Sequence, residues 1–373
     1  MNIKGEKSNP FPGLRPFSPE ENDFFFGRDN ESDDTVGKLL NNRFLAVIGA
    51  SGEGKSSLIN CGILSNISSL TSNSKVGWNV FSVRPGNDPA GNLAAELVKN
   101  VSDGNKKEQL SSEILDILRN DPAGILKAAD RLSFKPGDRV LIIIDQFEEL
   151  FRYGSIENIT DPEKEIQRFV DLVVTAAAGG RQNLFMVIAI RADMLSECAK
   201  YKKLAGLIND SNYFLSKINR ENFRKVIEEP VLKAGSSIDN DLVDKIIGDT
   251  WDRIDYLPVV QHALMRTWSL WKELDEPERQ ISFAEYESAG TIKDSISDHA
   301  DSVFEDLSNS GRKICERLFK TITGKGQDNK GIRYPMKLKR IREAIGCTGE
   351  ELSEVIGKFR DPSVSFLTPS GNV

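Results

Sequence analysis

The sequence predicts an α/β fold, a doubly wound parallel sheet followed by helical segments, on three observations. Short apolar, β-rich runs alternate with amphipathic helical stretches as far as Leu215. The first of these runs opens directly into a Gly-x-x-x-x-Gly-Lys-Ser loop, and another ends on an aspartate. From Asn219 onward the strand signals stop and helical ones take over.

The first strand is Phe44–Ile48, apolar throughout and therefore buried on both faces, as a central parallel strand must be. It runs into Gly49-Ala-Ser-Gly-Glu-Gly-Lys-Ser-Ser57, after which Leu58, Ile59 and Leu64 recur at helical spacing. The glycines let the backbone wrap an anion with its N–H groups inward, and the following helix presents its positive end to the same charge. Gly49, Ser51, Gly52, Glu53, Gly54, Lys55, Ser56 and Ser57 are the expected nucleotide-binding residues. Lys55 brings a cation to the β- and γ-phosphates, and Ser56 brings a hydroxyl to Mg²⁺.

Trp78–Arg84 is a second strand, and a third, Val140–Ile144, ends on Asp145. Ligands of open α/β sheets bind at the strands' carboxyl ends, so Asp145 is the expected carboxylate beside Mg²⁺. Glu148 and Glu149 follow, and either one can polarise an attacking water. A fourth run, Leu184–Ile190, ends on Arg191-Ala-Asp193, where Arg191 either reaches a γ-phosphate or pairs with a neighbouring acid. Tyr213–Leu215 is the fifth strand. Helices are expected at Gly91–Val101, Ser111–Arg119, Pro122–Leu132 and Glu163–Ala178.

Several of these segments together resemble the novel STAND NTPases, signal-transduction ATPases with numerous domains. The likeness rests on Asn9-Pro-Phe-Pro-Gly-Leu-Arg-Pro-Phe17, Phe24-Phe-Phe-Gly27-Arg28-Asp29 and Arg84-Pro-Gly-Asn-Asp-Pro89. It rests equally on Ile144-Asp-Gln-Phe-Glu-Glu-Leu-Phe151, Ile190-Arg-Ala-Asp193 and Leu257-Pro-Val-Val-Gln-His-Ala-Leu264, all in the family's order. The resemblance implies a P-loop NTPase of AAA-like type that binds ATP or ADP with Mg²⁺ and hydrolyses ATP slowly. In that scheme ADP holds a closed monomer and ATP favours a self-assembling homo-oligomer. Sensor and effector domains or partner proteins would complete it, with roles in signalling or bacterial antiphage defence. The resemblance also places Gly27 and Arg28 on the adenine side and makes Pro258 the lid proline. Tyr256 and Leu257 stand where related members carry a glycine. Leu257, Val260, Leu264 and Trp268 also fall on one helical stripe, the pattern of a helix core.

The expected organisation is a lead-in segment over 1–28, the P-loop NTPase domain over 29–217 and a helical lid over 218–308. A winged-helix-like domain over 309–373 completes it. The lid carries helices at Glu221–Ala234, Asn240–Asp252, Pro258–Leu274 and Ile292–Leu307, and one more follows at Arg312–Thr323. Arg220 and an arginine of a neighbouring protomer are alternative candidates for a phosphate contact, and the sequence does not choose between them. His262 reads as a core histidine. In the last segment Val364–Pro369 is expected to be the first wing strand with no return strand, so the chain reads as part of a longer protein.

Composition sets the bounds. At 373 residues the chain exceeds a typical core of about 100–200 residues. Its 28% charged and 39% hydrophobic content excludes collagen-like, coiled-coil and wholly disordered classes. No apolar run approaches the roughly 18 residues of a membrane span, so no membrane partner is expected. Cys61, Cys198, Cys315 and Cys347 are scattered and only two histidines are present, which leaves almost nothing for zinc. The N-terminus lacks a secretory apolar region, and a cytoplasmic location is expected. A net charge of −7 argues against DNA binding by bulk charge. Locally, however, Lys325, Lys330, Arg333, Lys337, Lys339, Arg340 and Arg342 face Asp328 alone. That stretch is a solvated or internally docking basic face, or else the surface of a DNA-associated AAA-like ATPase of initiator or transposition type. A nucleotide-binding scaffold without turnover is the third reading.

Overall fold

The computed structural model describes residues 8–71, 76–132, 134–135, 137–155, 161–251, 256–274, 276, 279–325, 331–333 and 336–367. It divides into two units, Phe17–Asn222 and a second made of Met1–Pro16 with Phe223–Val373.

In the first unit the five expected strands form one sheet: β1 (Phe44–Gly49), β2 (Trp78–Val83), β3 (Arg139–Ile144), β4 (Leu184–Arg191) and β5 (Asn212–Phe214). All pair in parallel, in the order β2-β3-β4-β1-β5. Side chains alternate between two cores. Phe44, Ala46 and Ile48 of β1 join Val140, Ile142 and Ile144 of β3 on one face. Leu45 and Val47 join Leu141 and Ile143 on the other. Double-faced burial explains the unbroken apolar runs, since no strand position of β1 is left for solvent.

Helices cover both faces. α1 (Asp29–Asn42) packs its Val36 and Leu39 into the second face. With it lies a helix of changing pitch after the phosphate loop: α2 (Lys55–Ser57), a π-turn over Leu58–Ile63 and α3 (Leu64–Thr71). The opposite face carries α4 (Pro89–Leu97), α5 (Gly104–Asn120), α6 (Gly124–Arg131) and α7 (Pro162–Ala178). α8 (Leu195–Ala199) and α9 (Lys202–Asp210) precede β5. α1 escapes a periodicity reading because half of its buried positions are Ser32 and Thr35, polar residues that satisfy themselves by back-bonding to Arg28 and Glu31 carbonyls.

The second unit is largely helical: α10 (Arg220–Lys233), α11 (Asn240–Thr250), α12 (Tyr256–Glu273), α13 (Phe283–Ser288), α14 (Thr291–Glu305) and α15 (Asn309–Ile322). An antiparallel pair, β6 (Thr323–Lys325) and β7 (Gly331–Arg333), precedes α16 (Leu338–Ile345) and α17 (Gly349–Arg360). A separate core joins the end of α14 to α15, α16 and α17 through Val303, Leu307, Ile314, Leu318, Ile341, Ile345, Leu352 and Phe359.

One expectation fails here. Val364–Leu367 is a turn and bend, not a wing strand; Thr368 and Pro369 lie outside the described residues. The chain folds back on the end of α17, with Leu367 N–H donating to the Phe359 carbonyl at 3.0 Å and Val364 N–H to Asp361 at 2.9 Å. Ser365 takes φ 52°, and Val364 and Phe366 pack into the local core instead of extending. Hairpin pairing occurs earlier, between α15 and α16.

His262 on α12 is a core residue, fully buried, as read from the sequence. Its Nε2 lies 2.9 Å from His299 Nδ1 on α14, and Phe366 packs against both rings. Burial and the neighbouring His299 hold the His262 imidazole down to about 3. Burial and Arg266 hold His299 down to about 4. Both rings are therefore neutral near pH 7.

Candidate functional site at the carboxyl ends of the strands

The phosphate loop leaves β1 at Gly49 and turns with φ 74° at Gly52 and 86° at Gly54, a region that other residues occupy only under strain. Gly54 is the N-cap of α2. The first-turn N–H groups of the helix that follows therefore open toward the loop's interior. Lys55 folds back so that Nζ donates to the carbonyls of Gly49 and Ala50 at 3.0 and 2.7 Å. Burial lowers its pKa, while Glu148 and Asp145 pull the other way and Arg191 and Glu53 also bear on it. A partly desolvated ammonium held by neutral carbonyls gains from a new anionic partner.

Ser56 Oγ lies 2.9 Å from each carboxylate oxygen of Asp145. Asp145 also accepts the Gln146 N–H at 3.0 Å, and Gln146 itself turns with φ 55°. That turn ends β3 and starts a 3₁₀ segment, Phe147–Ser155, in which Phe147 and Leu150 are fully buried. The two glutamates between them diverge. Glu148 is 6% exposed, and its Oε2 accepts the Arg191 N–H at 3.3 Å. Burial pushes its carboxyl up, partly offset by hydrogen bonds from its own and Arg191's backbone and by Lys55. Glu149 turns to the β2 side, accepting the Gly86 N–H at 3.1 Å.

Strand order accounts for this gathering. β4 lies between β1 and β3, and Gly49 is in register with Arg191. The tip of β4 therefore stands between the phosphate loop and Asp145. The Arg191 side chain is fastened to Asp193 by two bonds, Nε to Oδ1 at 3.0 Å and Nη2 to Oδ2 at 2.7 Å, the pairing that the sequence left open. This pairing holds the Asp193 carboxyl below its ordinary range.

Arg28 is 4% exposed and clamps three elements. It bonds Glu31 at 2.7 Å, the Ser216 carbonyl after β5 at 3.0 Å and the Glu53 carbonyl of the phosphate loop at 3.3 Å. Its guanidinium is thus committed to the protein, leaving backbone and loop shape as its means of reaching a nucleotide. Ser57 is committed too: its Oγ accepts the Phe17 N–H at 3.2 Å. One turn on, Asn60 Nδ2 donates to Phe17 O at 2.8 Å and Cys61 Sγ to Ser18 O at 3.2 Å. These clasps went unread in the sequence, where Ser57 counted only as part of the phosphate motif. Pro258 belongs to α12, in the first turns of that helix and in the second unit.

The donors fit Mg²⁺. Ser56 and Asp145 bring together oxygen donors of the hard kind that Mg²⁺ prefers. Among the described residues no group of three or more His, Cys, Asp and Glu side chains is placed to hold a metal ion.

The model of the novel STAND NTPase 1 family matches residues 10–369. The chain belongs to that family. A novel STAND NTPase is accordingly a P-loop NTPase, and its phosphate loop and sheet are those described above. Among solved structures, the Aeropyrum pernix ORC1 protein in complex with DNA is similar, with TM-score 0.52 and 13% identity over 90% of this chain and 84% of that one. The Aeropyrum pernix ORC2 protein, in ADPNP–ADP complexes, gives TM-score 0.51 and 13% identity over 89% and 85%. Both likenesses are of fold. No curated protein sequence matches this novel STAND NTPase. No helix of the described residues is long and apolar enough to cross a membrane.

Proposed function

We propose that this chain is an ATP-driven switch: it binds ATP or ADP with Mg²⁺ at the phosphate loop, hydrolyses ATP slowly and self-assembles in the ATP state. The observation that carries the reading is the convergence of Lys55, Ser56, Asp145, Glu148 and Arg191 at the ends of three adjacent strands. Gly49–Gly54 backbone and Lys55 hold the phosphates, and Arg28 keeps the loop in shape from behind. Gly27 lies on the adenine side, as the family resemblance implies. Ser56 and Asp145 hold the ion, which when bound polarises the terminal phosphate.

Glu148 is the residue assigned to the attacking water. It is buried against the end of β4, where its Oε2 accepts the Arg191 N–H at 3.3 Å, and burial raises its proton affinity. Glu149 holds the β2 loop, and Arg191 orients at the γ-phosphate once drawn from Asp193. Partner or fused sensor and effector modules would couple the switch to signalling, in the manner of cytoplasmic antiphage systems.

The test is phosphate release and sedimentation of the full chain with ATP and with ADP. Wild type should release phosphate and grow in mass with ATP alone. Lys55→Ala should lose at least tenfold in nucleotide affinity, about 1.4 kcal/mol, together with both responses. Nucleotide affinity unchanged in that variant would sink the assignment.

A second reading has one observation in its favour. Lys337, Lys339, Arg340 and Arg342 are all exposed around α16, while Ile341 and Ile345 anchor it. The similar ORC1 structure holds DNA. Salt-sensitive binding of duplex DNA, absent when these four are replaced by Ser, would support this reading. Lys330 and Asp328 of the same basic stretch lie outside the described residues.

A further inference from the structure

Three guanidinium groups surround the phosphate loop and the Asp145 carboxylate, and they are held very differently. Arg28 is buried with three partners, and Arg191 is fastened to Asp193 through two nitrogens. Arg84 is 41% exposed and meets Asp145 Oδ2 at 3.7 Å, an ion pair longer than a hydrogen bond. It stands there because Val83 of β2 is in register with Ile144 of β3, which brings the next residue of each strand side by side.

The backbone that carries Arg84 is fixed on both sides. Asn92 Nδ2 donates to the Arg84 and Pro85 carbonyls at 3.4 and 2.9 Å. The Gly86 N–H is held by Glu149 at 3.1 Å. A pinned base with a loosely engaged, solvent-reaching tip is the arrangement of a side chain that exchanges partners.

We propose that Arg84 is the positioning residue that couples the metal site to the terminal phosphate. It pairs with Asp145 when no γ-phosphate is present; with Ser56 and Asp145 holding a divalent cation, its guanidinium would turn to the γ-phosphate of a nucleoside triphosphate. The physical reason is charge. A dication on the Asp145 oxygens makes that carboxylate a poor partner for a second cation a few ångströms away. A terminal phosphate at the strand ends offers the same guanidinium a bidentate, charge-assisted partner. Arg84 thereby favours triphosphate over diphosphate and weakens metal binding when no γ-phosphate is present. This inference rests on the phosphate-loop reading above.

The test uses the full chain with Mn²⁺, ATP and ADP as probes, read by electron paramagnetic resonance and equilibrium binding. With ADP bound, Arg84→Ala should take up Mn²⁺ several-fold more tightly than wild type, while Arg84→Lys, which keeps the charge, should stay near wild type. The ratio of ATP to ADP affinity in Mg²⁺ should fall about tenfold in Arg84→Ala. Thermal unfolding of both variants near that of wild type is expected for so exposed a side chain. If Mn²⁺ affinity and the ATP/ADP ratio both stay within about twofold of wild type, this proposal is overturned while the phosphate-loop reading stands. Failure of wild type itself to bind either nucleotide overturns both.

Discussion

The Ser56 hydroxyl and the Asp145 carboxylate, far apart in sequence, meet at 2.9 Å from both carboxylate oxygens. With one hydroxyl proton shared between two oxygens and the Gln146 N–H on Oδ1, the carboxylate keeps lone pairs for an ion. Replacing Ser56 by Ala should therefore leave nucleotide affinity in EDTA within about twofold of wild type and abolish most of the gain from Mg²⁺, roughly tenfold or more. Titrating a fluorescent ATP analogue with and without Mg²⁺ checks it; equal Mg²⁺ gains in both proteins would count against the ligand pair.

Glu148 gives a prediction that opposes stability to turnover. Its carboxyl is raised above the ordinary 4.5 by burial, so the folded state binds that proton more tightly than the unfolded chain. The contribution to stability is complete below about 4.5 and is lost as pH rises through the higher folded value. Glu148→Gln keeps an acceptor for the Arg191 N–H and carries no charge. It should melt higher than wild type at pH 7, with the difference shrinking as pH is lowered toward 4.5. It should also release no phosphate. Melting curves at several pH values decide it, and a lower melting point at pH 7 contradicts the account.

Gly62 permits a close helix contact. A Cβ there would lie 2.5 Å from Ser32 Oγ and 2.8 Å from Leu58 Cδ1, and Ser32 Oγ is bonded to the Arg28 carbonyl at 2.7 Å. Gly62→Ala should cost about 1–3 kcal/mol, the range for overpacked cores. It should also weaken nucleotide binding through Arg28, whereas Gly37→Ala, on the open side of α1, should do neither. Denaturant titrations of the two variants supply the comparison.

The His262–His299 pair sets a pH dependence on the second unit. Both values are depressed, to about 3 and about 4 from an ordinary 6.5. Stability from keeping them neutral is therefore complete above about 6.5 and drains away as pH falls toward 4 and below. The positive charge of Arg266 adds to the cost of charging either ring. Trp268 is buried in the same unit and its fluorescence follows the loss. His299→Asn, which keeps a polar partner and removes one titrating group, should flatten the acid limb. An identical limb would place the sensitivity elsewhere.

Much of the sheet unit was legible because a doubly covered parallel strand has to be apolar along its length, and each such run ends on Gly, Arg or Asp. The phosphate loop declared itself by glycines that its backbone angles require. What the sequence withheld was adjacency. Crossover helices allow a parallel strand several possible neighbours, so nothing in the spacing of Gly49, Asp145 and Arg191 says that β4 lies between the other two. Arg84 beside Asp145 and His299 beside His262 were hidden for the same reason. Val364–Leu367 misled for another: alternating Val, Ser, Phe and Leu reads as a strand, yet its apolar members are used to cap the end of α17.

The clasp of Ser57, Asn60 and Cys61 on Phe17 and Ser18 has a mechanical consequence. The chain passes from one unit to the other between Pro16 and Phe17. The fastening there is to the helix that opens directly from the phosphate loop, and Asn60 and Cys61 reach it from the π-turn. A displacement of that helix would therefore be felt first at Phe17 and Ser18, through these three hydrogen bonds. Phe17 and Ser18 are thus moored to the segment that continues the phosphate loop.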